Sequence, residues 1–357
     1  MIDDKDIEQL KQLFVPKHHI HSGSDTPKVN YNSLLNAPHT DLFWGDGSDG
    51  NITISVHTTL TRDMYYDYLT INNGISLNVG SYRIFVKNLL TNKGTIHNNG
   101  NNASGSTGGA AIVSGSLPGT VAGVNGGGGA AIVNGAVNGG VANSGNSVAK
   151  SLGNSAVAGA VGGAGHTNAS GTGLYGAAAS AGSQTGTIFN TIRNYIAAYN
   201  LFDVLPSFTQ LGGPPSGSSG SGGGSSCSTA SGTCSGNAGA GGGSGSPGGF
   251  VFIFAKEIEN NGTISAKGGD ASSGENANFT GTSLFYGAGG GGAGAPGNGG
   301  IICLVYQNLT IEGTIVYGAG ATASGGTGVA GGAGSFGDPG NNSPSAGNAG
   351  LLIKIQV

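Results

Sequence analysis

Few side chains in this 357-residue chain could carry acid–base, metal or nucleophilic chemistry, and their spacing decides how far each can be taken. Lys17-His18-His19-Ile20-His21 is the one histidine cluster. On an extended strand His19 and His21 share a face, so two imidazoles could meet one transition metal, and a threefold oligomer could complete the ligand set on its axis. A polar linker that binds no metal accounts for the same residues. Asp46-Gly47-Ser48-Asp49-Gly50-Asn51 alternates oxygen ligands with glycine as a calcium loop does, but the distal bidentate Glu is missing and the run reads as an Asp-Gly turn. Glycoside cleavage needs two carboxylates about 5–10 Å apart. Asp63 and Asp67 are four positions apart along a strand, too far without a bend. Glu257 and Glu259 share a strand face at suitable separation, yet they also read as a solvated edge. No Gly-x-Ser-x-Gly sits in a strand–turn–helix setting and no glycine-rich phosphate loop ends in Gly-Lys-Ser/Thr. The many G-x-G-x-x-G matches carry no information in so glycine-rich a background. These residues point to no catalytic centre and to no cofactor.

The three cysteines divide in the same way. Cys227 and Cys234 lie in a Ser/Gly-rich loop and could close a small disulfide in an oxidising compartment, or remain thiols. Cys303 lies inside Ile301-Ile302-Cys303-Leu304-Val305 and reads as a small buried hydrophobe. No Cys-x-x-Cys pair suggests zinc.

Composition narrows the function classes further. Glycine supplies 75 residues, about three times its usual share, and only 8% of residues are charged, against roughly 25% in an average domain. A net charge of -4 argues against nucleic acid and against a polybasic membrane binder. Residues 101–248 carry only Lys150, Arg193 and Asp203 as charges, too few for acid–base catalysis. No signal peptide opens the sequence, and no run of 18 apolar residues offers a membrane span.

The elements that would position any site follow a repeat. Ile7, Leu10, Leu13 and Phe14 recur at helical spacing over 4–14, and Pro16 stops that helix. Residues 1–50 read as an attachment or assembly segment, and 51–100 as a β-rich module of short alternating strands. Gly80-Ser81-Tyr82-Arg83-Ile84-Phe85-Val86-Lys87-Asn88-Leu89, with Gly94-Thr95-Ile96 following, recurs as Gly249–Ile258 with Gly262-Thr263-Ile264. It recurs again as Gly300–Leu309 with Gly313-Thr314-Ile315, and as the half-copy Gly350–Val357. Each copy reads as one β-coil that cannot bury its apolar face alone, so stacking makes the core. The turn glycine is expected to supply φ > 0, with the Ile of Thr-Ile pointing inward. Residues 249–357 form the C-terminal β-repeat.

Between copies run glycine-rich excursions at 101–185, 213–248, 269–299 and 318–349. Composition alone reads as disorder. Low charge, scattered apolar residues and ends pinned to strands favour packed glycine, in the threefold extended helix that collagen also uses. The insertion 101–248 also holds Ile188, Phe189, Ile192, Tyr195, Ile196, Tyr199 and Phe202 at helical spacing, predicting an amphipathic helix over 187–205. The fold class expected is all-β: a β-solenoid or stacked β-coils with polyglycine II-like excursions, a short N-terminal helix and one inserted helix.

The strand–Asn-x-Gly-Thr-Ile repeat, the segment from Asp46 to Val86 and the His-rich connector over 17–28 resemble β-solenoid surface proteins of bacteria and their viruses, in particular tailed-phage tail fibres and receptor-binding adhesins. The resemblance implies a non-enzymatic virion surface protein that forms homo-oligomers, with trimers favoured. It implies contacts to other virion subunits through residues 1–50 and to a host surface glycan or protein through its loops. Tyr175, Phe279, Phe285, Tyr286 and Phe336 are the aromatics expected on those loops. A capsid decoration protein or extracellular filament subunit, joined through the N-terminal segment or the terminal strand, is the alternative, and a glycan depolymerase the third.

Overall fold

The computed structural model describes residues 44–129, 135–137, 165–166, 220, 222–223, 225–227, 234–281, 286–331, 336–340, 344 and 346–357. The helices expected at 4–14 and 187–205 lie outside these residues, as do His19, His21, Tyr175 and Phe285. Among the described residues the protein is strand-rich with almost no helix. In chain order the strands are β1 (Gly50–Ile54), β2 (Thr58–Thr59), β3 (Met64–Ile71), β4 (Ser76–Asn78), β5 (Arg83–Asn92) and β6 (Thr95–His97), then the short β7 (Gly135–Val137), β8 (Gly165–His166), β9 (Ser225–Cys227) and β10 (Cys234–Asn237). They continue with β11 (Phe250–Asn260), β12 (Thr263–Ser265), β13 (Asn278–Gly281), β14 (Tyr286–Ala288), β15 (Ile301–Ile311), β16 (Thr314–Val316), β17 (Val329–Gly331), β18 (Phe336–Gly337) and β19 (Leu351–Gln356).

The repeat copies lie side by side. Six strands pair in the order β1-β3-β5-β11-β15-β19, all parallel, and the short strands pair in parallel in the order β16-β12-β6-β4-β2. Neither sheet closes into a barrel. Register follows the sequence repeat: Phe250 pairs with Ile301 and Ile301 with Leu351, while Ile96, Ile264 and Ile315 form one row. β5 pairs directly with β11. The sheet therefore runs uninterrupted past the insertion at 101–248, and the β-rich segments on either side of it form one body.

Two sets of apolar rows hold that body together. Inward positions of the long sheet and the short sheet meet in one cluster, including Leu69, Leu77, Ile84, Leu90, Ile96, Ile253, Ile258, Ile264 and Leu304, each essentially inaccessible. The opposite face of the long sheet is also buried: Phe85, Phe250, Phe252, Phe254, Ile301, Cys303 and Val305 pack with Trp44 and Leu117. This two-sided burial explains why Phe250-Val251-Phe252-Ile253-Phe254-Ala255 is apolar at every position rather than alternating. Tyr65, Phe85 and Phe254 stack along their row with centroids 4.9 Å apart at each step. Fully burying a side chain of this size contributes about 1.5–3 kcal/mol, and each layer adds such a term to its row.

The expected reason for the turn glycines is corrected at two of three copies. Only Gly313 has a positive φ, +61°. At Gly94 a Cβ would overlap the Ile75 carbonyl oxygen, and at Gly262 it would overlap the Gly94 carbonyl oxygen. Close stacking of successive turns, rather than a left-handed backbone, excludes side chains there.

The described glycine-rich segments are ordered by backbone hydrogen bonds that recur every third residue. Gly239, Gly242, Gly245 and Gly248 donate to Gly289, Gly292, Ala295 and Asn298. Gly291, Gly294, Gly297 and Gly300 donate to Glu275, Ser272, Gly269 and Ala266, in the antiparallel sense. Gly268, Ala271, Gly274 and Ala277 donate to Gly318, Ala321, Ser324 and Thr327. Each segment thus bonds to several neighbours, and a Cβ on Gly242 would overlap the Ser272 carbonyl oxygen. Side chains on this framework add rungs: Asn102 Oδ1 accepts from the Asp270 N–H at 2.8 Å, Asp270 Oδ1 from the Ala321 N–H at 2.7 Å, and Asn276 Oδ1 from the Thr327 N–H at 2.8 Å.

Candidate binding surface

The carboxylates considered for chemistry are held in structural bonds. Asp63 accepts from the Arg83 backbone N–H and Nε, each at 2.8 Å, and from the Ser116 hydroxyl. Asp67 accepts from Asn88 Nδ2 at 2.6 Å. The two do not converge on one site: Asp63 closes the gap between two layers and the 112–117 loop, and Asp67 serves the bulge of β5. Glu257 and Glu259 flank the inward Ile258 and stand half-buried, with Glu259 3.4 Å from the Thr91 hydroxyl.

The Asp46–Asn51 run is a turn in which both carboxylates are engaged. Asp46 Oδ1 accepts from the Ser48 N–H at 2.9 Å, which holds its pKa below the usual value. The Arg62 guanidinium lowers the Asp49 pKa against the opposing effect of burial, and Asp49 Oδ2 also accepts from the Tyr65 N–H at 2.7 Å. Gly45, Gly47 and Gly50 have φ of 77°, 76° and 71°, which lets the chain fold back over β3. Among the described residues no three His, Cys, Asp or Glu gather as a metal-ligand set, and no helix is long and apolar enough to cross a membrane. Cys303 is buried, and burial pushes its thiol up to about 12, far from a reactive thiolate.

The aromatic candidates that fall on described strands are brought to one region by the glycine segments. The outgoing segment over 266–277 runs directly into β13, which carries Phe279, and β14, which carries Tyr286, opens the returning segment. The next layer repeats this arrangement with β17 and then β18, which carries Phe336. These short strands pair antiparallel, unlike the parallel body: β17-β14-β9-β7, β10-β13 and β18-β8. In register, Phe279 lies opposite Gly236, Tyr286 opposite both Gly331 and Cys227, and Phe336 opposite His166. Cys227 and Cys234 lie on strands of two different small sheets.

Two networks were missed in the sequence. Asn92 Nδ2 donates to Asn260 Oδ1 at 2.7 Å and Asn260 Nδ2 donates to the Glu312 carbonyl, a buried amide ladder through three layers. The recurrence of Asn two residues before the turn glycine in two copies was its signal. The Asp63–Arg83 pair had none, because its partners sit twenty residues apart and meet only through strand register. No family model, curated protein or solved structure matches the chain.

Proposed function

We propose that this chain is a non-enzymatic surface protein of the tail-fibre or receptor-binding adhesin type, built as a β-solenoid whose excursions are polyglycine II-like helices. The three-residue hydrogen-bond period supports the excursion geometry, since that helix has three residues per turn and its backbone groups are free to bond laterally. The convergence of the strands carrying Phe279, Tyr286 and Phe336 at the far end of the glycine segments carries the functional reading. A stiff framework with almost no charge positions loops at a distance from a body whose own polar groups are engaged in holding layers together. Loops on a rigid scaffold are the usual place for recognition, and aromatics there suit sugar rings or apolar protein patches. A virion surface, with residues 1–50 attaching the protein and copies associating as a trimer, is the setting this reading implies.

Labelled protein tested on bacterial cells and a glycan array checks it. Tyr286→Ala and Phe336→Ala are expected to weaken binding roughly tenfold each, while Tyr68→Ala, on the body and 45% exposed, leaves it unchanged. Equal binding by tip and body variants would overturn the tip assignment, and release of reducing sugar from a bound polysaccharide would overturn the non-enzymatic one.

A further inference from the structure

One row of the core changes character at the outermost strand. Met64, Ile84, Ile253 and Leu304 occupy the same inward position in successive layers, and in β19 that position is Lys354. Its ammonium donates to Glu312 Oε1 at 2.9 Å. Glu312 lies between β15 and β16, so the pair crosses the end of the apolar core, beside the partly buried Leu309, Ile315 and Leu352. The next inward position shifts from Tyr306 to Gln356. One layer down the equivalent rows are sealed, with Ile258 and Ile264 at 0% exposure, whereas their register partners at this end, Leu309 and Ile315, are only partly buried. No described strand pairs beyond β19.

An uncovered end of an in-register parallel sheet is a template for a further strand, and an inward-pointing charge on the edge strand is an effective defence. We propose that Lys354, held by Glu312, guards this end of the stack against addition of a strand from a second copy. Such a strand would take the ammonium out of water with a single carboxylate as compensation, an arrangement that costs more than the attraction returns. The Glu312 carboxylate also raises the Lys354 pKa, keeping the charge in place. At the opposite end the outermost described strand is β1, which Asp49 extends along β3, its N–H donating to the Tyr65 carbonyl at 2.8 Å and its carboxylate accepting from the Tyr65 N–H. A guarded edge at the β19 end fits a discrete surface unit better than a filament growing through that strand.

Sedimentation velocity across a hundredfold concentration range, with electron microscopy of the same samples, tests the guard. Lys354→Ile restores the residue type of the row and is expected to tighten end-to-end association by roughly tenfold or more, seen as species that are multiples of the wild-type particle. Wild type and Lys354→Arg should show no such growth. If Lys354→Ile fails to fold, Lys354→Gln removes the charge without adding apolar surface and must still associate more than Lys354→Arg. Folded Lys354→Ile that keeps the wild-type size, equal association of the Gln and Arg variants, or wild type that already polymerises through β19 would each overturn the proposal.

Discussion

The β body and the glycine framework stack in the same layers, offset by about the same number of residues per copy, but they solve the burial problem in opposite ways. In the body each layer contributes side chains, and the rows Ile84–Ile253–Leu304 and Leu69–Leu90–Ile258 fill the space between sheets. In the framework the space is filled by neighbouring backbone: Gly239, Gly242, Gly245 and Gly248 bond to the next layer, and buried side chains there are small, such as Ser244, Ser246, Ala293 and Ala295. The contrast teaches what each region can lose. The body is damaged by removing atoms, because a cavity remains. The framework is damaged by adding them, because there is no room for a Cβ.

The largest effect is expected where the body loses volume. Ile253→Ala removes a fully buried side chain from the middle of its row and should cost about 4 kcal/mol in denaturant unfolding. Next comes addition of a methyl group to the framework. Gly242→Ala drives a Cβ into the Ser272 carbonyl and separates two bonded segments, for roughly 2–3 kcal/mol. Gly128→Ala, where a Cβ meets nothing within 4 Å, should stay within about 0.5 kcal/mol of wild type. Hydrogen exchange localises the damage. If Gly242→Ala and Gly128→Ala behave alike, close backbone packing is not what orders the glycine segments and the contrast fails.

The same contrast explains what could be read in the sequence. Body layers were legible because stacking demands the same residue type at the same place, so Thr95-Ile96, Thr263-Ile264 and Thr314-Ile315 repeat and pair in register. The turn glycines were legible in position but not in cause: Gly94 and Gly262 need space, which depends on a layer that is remote in sequence. In the framework the bonding groups are backbone N–H and C=O, which every residue carries, so partners such as Gly291 and Glu275 leave no side-chain signature. The aromatic candidates could be named from type, yet the placing of Phe279, Tyr286 and Phe336 on small antiparallel sheets apart from the parallel body follows from strand pairing alone. Carboxylate spacing showed only that Asp63 and Asp67 stand too far apart to pair; that Asp63 answers to Arg83 follows from register and left no local signal.

The smallest effect separates the regions by pH. His97 is in the short sheet of the body, in register with Asn78 and Ser265, and its Nδ1 is buried without a hydrogen-bond partner. Burial lowers its pKa below the ordinary 6.5, so the folded state resists the proton that the unfolded chain accepts. Above pH 6.5 both states are neutral and this group contributes no pH dependence. As pH falls below 6.5 the unfolded state binds more protons and the body loses stability, until the folded-state pKa is reached. The framework's Asp270 behaves otherwise: burial acts to raise its pKa, but the Ala321 N–H and Lys267 outweigh it and leave the pKa below 3.8, so its contribution is lost only in stronger acid. Between pH 6.5 and about 4, hydrogen exchange should therefore quicken around β6 while the segment over 266–277 keeps its protection, and His97→Asn should flatten the response of β6. A body that loses protection equally in wild type and His97→Asn would assign the acid response to other groups.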